Sequence, residues 1–175
     1  RCRRACGGEK GGLSATVILD SDFLSAFLKI DRLSLVKDFY QVESLLVPPA
    51  VYRQVSQTSL LQRLAAIPWL QVEPAEPGVF SELSQRSGFV DLGAGEKEAI
   101  ALALQLSGSV LLMNDNRARR EAIQSGVQVV DIPAFLLACR LSGYLGRDQT
   151  AATIRDLQEK DRYGFRVDVL ARLLE

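Results

Sequence analysis

Three short apolar runs that each close on an acid constrain this chain more than any other feature. ATVILD at 15–20, SVLLMND at 109–115 and VQVVD at 127–131 are rich in valine, isoleucine and leucine, and they end on Asp20, Asp115 and Asp131. Short apolar runs bounded by polar residues are the pattern of strands buried on both faces. LLVP at 45–48 and the alternating WLQVE at 69–73 supply two further strand signals.

Helical periodicity fills the intervals. Phe23, Leu24, Phe27 and Leu28, followed by Leu33, Leu35, Val36 and Phe39, predict two helices or one bent helix over 21–43, with Asp31 as a break or N-cap. Pro49 suits the first turn of a helix running through AVYRQV towards Ala66. PAEPG at 74–78 reads as a loop, followed by a short helix over 79–85 and a turn at Gly88. EKEAIALALQL opens after Gly95 as an apolar helix stopped by Gly108, and RARREAIQSG is a basic helix stopped by Gly126. Three more helical segments centre on Phe135, Ile154 and Leu170.

Strands alternating with helices predict a three-layer α/β/α sandwich around a central, mainly parallel sheet of about five strands. The expected organisation is one domain over 15–175 without internal repeats. Ligands of such sheets bind beyond the carboxyl ends of the strands, where the acids stand.

Composition narrows the chemistry. Without a histidine among 175 residues, a Ser-His-Asp or Cys-His pair is excluded, as is a histidine-bound zinc. With 21 basic and 21 acidic side chains, general attraction to nucleic acid is absent, although a local basic patch is not. No apolar run approaches the length of a membrane helix. Cys2, Cys6 and Cys139 form no C-x-x-C pair, which favours a reducing, cytoplasmic setting over a disulfide framework. The Gly-rich RCRRACGGEKGG segment reads as part of a disordered leader over 1–14.

Asp20, Glu98 at the start of the long apolar helix, and Asp115 are the main candidates for chemistry. Converging carboxylates hold hard cations such as Mg²⁺ or Mn²⁺, and such an ion can activate water without histidine. The simpler account of any one acid after a strand is a helix N-cap.

VILDSDFLSAFLKIDRL, VPPAVYRQV, LGAGEKEAIALALQ, LLMNDNRARREAIQSGVQVV and PAFLLACRLSGYL, in that order, resemble a PIN domain of the subgroup close to the VapC toxin ribonucleases. The resemblance implies a metal-dependent endoribonuclease in which Asp20, Glu98 and Asp115 are the catalytic and metal-holding acids. Asp22 and Glu96 are auxiliary candidates for the metal. Two positions depart from the family pattern: Gln54 stands where a Glu is usual, and Asn114 where relatives often carry a second Asp. An amide at either place cannot supply charge or act as a base.

Arg117, Arg119 and Arg120 follow Asp115 and suit an RNA backbone track, or else a solvated helix face paired with Glu121. Tyr52 and Trp69 are better read as core residues than as base-stacking ones. The implied partners are RNA, a small antitoxin-like protein and a second copy of the chain, with PAFLLACRLSGYL as a candidate dimer face; no membrane is implied. Asp20-Ser21-Asp22 also resembles the haloacid-dehalogenase nucleophile motif, but Leu24 replaces its usual Thr or Val. GAGEK lacks the third glycine of a dinucleotide site and the Lys-Ser/Thr of a P-loop. The alternative function is a PIN-like module that has lost catalysis and binds RNA or a protein.

Overall fold

The computed structural model describes residues 15–175; the expected leader lies outside them. Five strands, β1 (Val17–Leu19), β2 (Leu45–Val47), β3 (Leu70–Val72), β4 (Val110–Leu112) and β5 (Gln128–Val130), form one sheet in the order β3-β2-β1-β4-β5. Every neighbouring pair is parallel. The order reverses beside β1, so β1 and β4 flank the point where loops leave in opposite directions and open a crevice.

The helices are α1 (Ser21–Lys29), α2 (Leu33–Tyr40), α3 (Pro49–Ser56), α4 (Leu61–Ala65), α5 (Pro77–Ser84), α6 (Ala94–Gln105), α7 (Asn116–Gln124), α8 (Ile132–Leu141), α9 (Arg147–Lys160) and α10 (Val167–Leu174), with a single 3₁₀ turn at Ser87–Phe89. The α/β/α sandwich expected from the strand and helix periodicity is the observed architecture.

Side-chain alternation along each strand divides the core. Val17, Leu19, Val110 and Leu112 face a layer holding α1, α2 and α8, whereas Ile18, Leu111 and Met113 face α6 and α7. Phe23 stacks on Phe27 at 4.8 Å between ring centroids, and Phe135 meets both rings edge-on. This cluster clamps α1 to α8, and Asp20 is the N-cap of α1. Tyr52 and Trp69 pack against the same core, as their spacing suggested.

Two helix boundaries fall where side-chain or backbone detail overrides periodicity. Over 21–43 there are two helices: Asp31 adopts a left-handed φ of 57°, and the Arg32 N–H donates to Phe27 O at 3.0 Å. Asp31 is thus the break, and Arg32 takes the N-cap place without a side-chain bond. The helix opened by Pro49 stops at Ser56 instead of continuing towards Ala66. The Thr58 hydroxyl donates to Val55 O at 2.7 Å and accepts from the Leu60 N–H, making a turn that competes with the helix. No helix among the described residues is long and apolar enough to cross a membrane.

Candidate active site

Each of the three strand-ending acids caps the helix that follows it. Asp20 Oδ1 accepts from the Phe23 N–H at 2.8 Å at the start of α1. Asp115 Oδ1 accepts from both Arg117 and Ala118 N–H groups at 2.8 Å at the start of α7. Asp131 Oδ1 accepts from the Ala134 N–H at 2.8 Å at the start of α8. The strand delivers the acid to the carboxyl edge of the sheet, and the cap fixes its rotamer. Capping and chemistry are compatible, because a cap engages one carboxylate oxygen and leaves the other.

Asp20 is only 2% exposed. Burial pushes its carboxyl up from 3.8 to about 8; the Phe23 N–H opposes this, the Asp22 charge adds to it, the Asn114 N–H opposes it, and the Glu96 charge adds again. Asp22 is also raised, by burial first, then by Asp115 and Asp161, with Lys29 opposing. Glu96 is raised by burial, opposed by the Gly93 N–H, and raised further by Asp115 and Asp22. Asp22 and Glu96 therefore both feel Asp115 and both act on Asp20, where β1 and β4 end and α6 starts.

Glu98 is placed differently. Its Oε2 accepts from the Ala50 N–H at 2.7 Å, so it supplies to α3 the cap that Pro48, at the N-cap place, cannot. Residues 96 and 98 lie about 200° apart around a helix, so their side chains leave α6 in different directions. Glu96 takes the side towards Asp20, and its Oε2 also accepts from the Gly93 N–H at 2.7 Å. The sequence contained this constraint in the G-x-x-E spacing of 93–96, but not which acid would face inward.

Gln54 and Asn114 both have identifiable contacts. Gln54 lies beside the start of α6: a Cβ added at Gly95 would stand 3.2 Å from Gln54 Oε1. Asn114 Oδ1 accepts from the Ile132 N–H at 3.0 Å, which ties the end of β4 to α8.

The three arginines have different surroundings. Arg117 donates to Asp91 Oδ2 at 2.5 Å at the surface, and the resulting hydrogen bond holds the Asp91 carboxyl below its ordinary value. Arg119 pairs with Asp131 Oδ2 at 2.6 Å, and its Nε is buried without a partner among the described residues. Arg120 is exposed. Ser21, the first residue of α1, is buried.

Among the described residues, no three Asp, Glu or Cys side chains converge closely enough to enclose an ion unaided. The donor set nevertheless suits a hard divalent cation. It is made only of oxygen, and a buried carboxyl that feels the charge of two others, Asp22 and Glu96, is a group whose charged form a cation would favour.

A parallel five-stranded sheet covered on both faces, with carboxylates gathered where β1 and β4 end, defines an α/β domain built to present acids at one edge of its sheet. Residues 16–175 match the PIN domain family, and the chain belongs to that family. Its fold is accordingly one that nucleases use. No curated protein matches the chain.

Proposed function

We propose that this protein is a Mg²⁺- or Mn²⁺-dependent endoribonuclease of the PIN type, close to the VapC toxin subgroup. The observation that carries the reading is Asp20, buried and raised to about 8 among Asp22, Glu96 and Asp115. Perturbed carboxyls gather at functional sites, and this one stands at the carboxyl end of β1 beside the switch in strand order. Asp20, Asp115 and Glu96 would hold the metal, with Asp22 beside them. When bound, a divalent ion supplies a water of lowered pKa and neutralises charge on the phosphodiester.

The chain's own residues supply the positioning. The Phe23 N–H orients Asp20, the α7 amides orient Asp115, and the Gly93 N–H orients Glu96. Arg120 and Arg117 lie on the helix that leaves this site and suit RNA phosphates. Glu98, which the resemblance assigns to the metal, caps α3 with Oε2 and keeps Oε1 free among the described residues. A homodimer, a small antitoxin-like partner and a cytoplasmic location extend the same reading.

Gln54, Asn114 and the lack, among the described residues, of three closely converging acids favour a second reading, a PIN module without catalysis. A Mn²⁺ titration followed by calorimetry, combined with cleavage of a single-stranded RNA, separates the two. The nuclease reading expects saturable binding and Mn²⁺-dependent cleavage, both lost in Asp20→Asn. Cleavage by Asp20→Asn at the wild-type rate would remove Asp20 from the site.

A further inference from the structure

Glu98 has a second oxygen that the capping role leaves unused. Oε2 is committed to the Ala50 N–H, whereas Oε1 makes no hydrogen bond to a described residue. The side chain lines a cavity of about 230 Å³ whose other walls are Pro49, Pro74, Ala75, Pro77 and Phe80. These are flat or small apolar surfaces around a single carboxylate. The space exceeds that of a few waters, at about 30 Å³ each, and it admits one planar heterocycle.

Glu98 connects this cavity to the acid cluster along α6. Glu98 is two positions from Glu96 on α6, about 5.4 Å between Cα atoms. One of its walls, Pro49, opens α3 directly after β2, the strand paired with β1. A strand whose phosphate reached the acids would have a neighbouring base within reach of this cavity. Single-stranded RNA is read in this manner, by bases laid on apolar or aromatic surfaces with their edges hydrogen bonded. An ionised carboxylate only accepts hydrogen bonds. It pairs with the N4 amino group of cytosine, whereas uracil presents a carbonyl at the same place.

We propose that this cavity receives one base of the RNA strand, and that Glu98 selects a base bearing an exocyclic amino group, cytosine over uracil among pyrimidines. The proposal rests on the nuclease reading for its substrate class, but its geometry is independent of the metal. Glu98→Gln provides a sharp variant. The glutamine oxygen can still accept from the Ala50 N–H, so the cap is kept, while its NH₂ group replaces Oε1 as a donor towards the cavity. The preference then turns towards uracil, whose O4 accepts.

The test uses the full chain carrying Asp20→Asn, with and without Glu98→Gln, in the absence of divalent ions. Fluorescence anisotropy measures binding of a uridine octamer and of the same octamer with cytidines at its four central positions. The expected result is roughly tenfold tighter binding of the cytidine octamer, reversed by Glu98→Gln at unchanged thermal stability. Equal affinities, or a preference that Glu98→Gln leaves alone, would overturn the proposal. Cleavage of both octamers by wild-type protein with Mn²⁺ is measured in parallel. Cleavage without base preference removes the pocket and keeps the nuclease; base preference without cleavage does the reverse.

Discussion

Asp20 shows at the scale of one residue how a functional acid opposes the fold that carries it. Its carboxyl titrates near 8 in the folded protein against 3.8 for an ordinary aspartate. Between those pH values the folded state binds the extra proton, so stability decreases as pH rises from about 4 to about 8. Asp22 and Glu96, also raised, act in the same direction. Asparagine caps a helix as well as aspartate does but carries no charge. Asp20→Asn is therefore expected to raise the melting temperature at pH 8 by roughly 10 °C and to flatten its decline between pH 5 and pH 8, while cleavage is lost. Scanning calorimetry at the two pH values checks this, and Mn²⁺ should raise the melting temperature of the wild type alone. Gln54→Glu brings a further carboxylate beside the start of α6. Tighter Mn²⁺ binding by calorimetry is the expected outcome, and an unchanged affinity would mean that residue 54 does not reach the ion.

At the scale of elements, α6 and α7 each assign separate duties to neighbouring side chains. On α6, Glu96 turns towards the other acids and Glu98 towards α3. On α7, Asp115 holds two amides, Arg119 is committed to Asp131, and Arg120 is left to solvent. Asp115→Ala leaves two helix-end N–H groups uncapped and should cost about 1 kcal/mol in urea unfolding. Asp115→Asn should restore most of that stability without restoring cleavage, which separates the cap from the chemistry. Arg120→Gln should lower the slope of log affinity against log salt for single-stranded RNA by about 0.7, the share of one phosphate contact. Arg119→Gln should instead leave the slope nearly unchanged and destabilise the α7–α8 junction, because it breaks a half-buried pair.

For the whole molecule, the sheet couples the two cores, since alternate residues of the same strand face opposite layers. Leu111, fully buried on the α6 side of the interior strand β4, should cost about 2–5 kcal/mol as Leu111→Ala, a large part of the ~5–15 kcal/mol that holds a domain folded. A fall in the urea midpoint with activity lost in proportion to unfolding is the expected result. The layers and strand count could be read from the chain because VIL, LLV and VLL are short apolar runs interleaved with helical spacing, a pattern set by local geometry. The end of α3 was less legible, since one hydroxyl, that of Thr58, redirects the backbone there.

The candidate site divides along the same line. Sequence by itself determined that acids stand at the carboxyl ends of β1, β4 and β5, because strand, acid and helix are contiguous and an aspartate there caps whatever helix follows. Asp20 and Asp115 were visible for that reason. Only the tertiary structure decided that Glu96 feels their charge while Glu98 caps α3 with one oxygen, that Arg119 is spent on Asp131, and that Gln54 lies against the start of α6. The facing of a helix is a rotation about its own axis, and packing against a distant strand or helix sets that rotation, so no window of neighbouring residues encodes it.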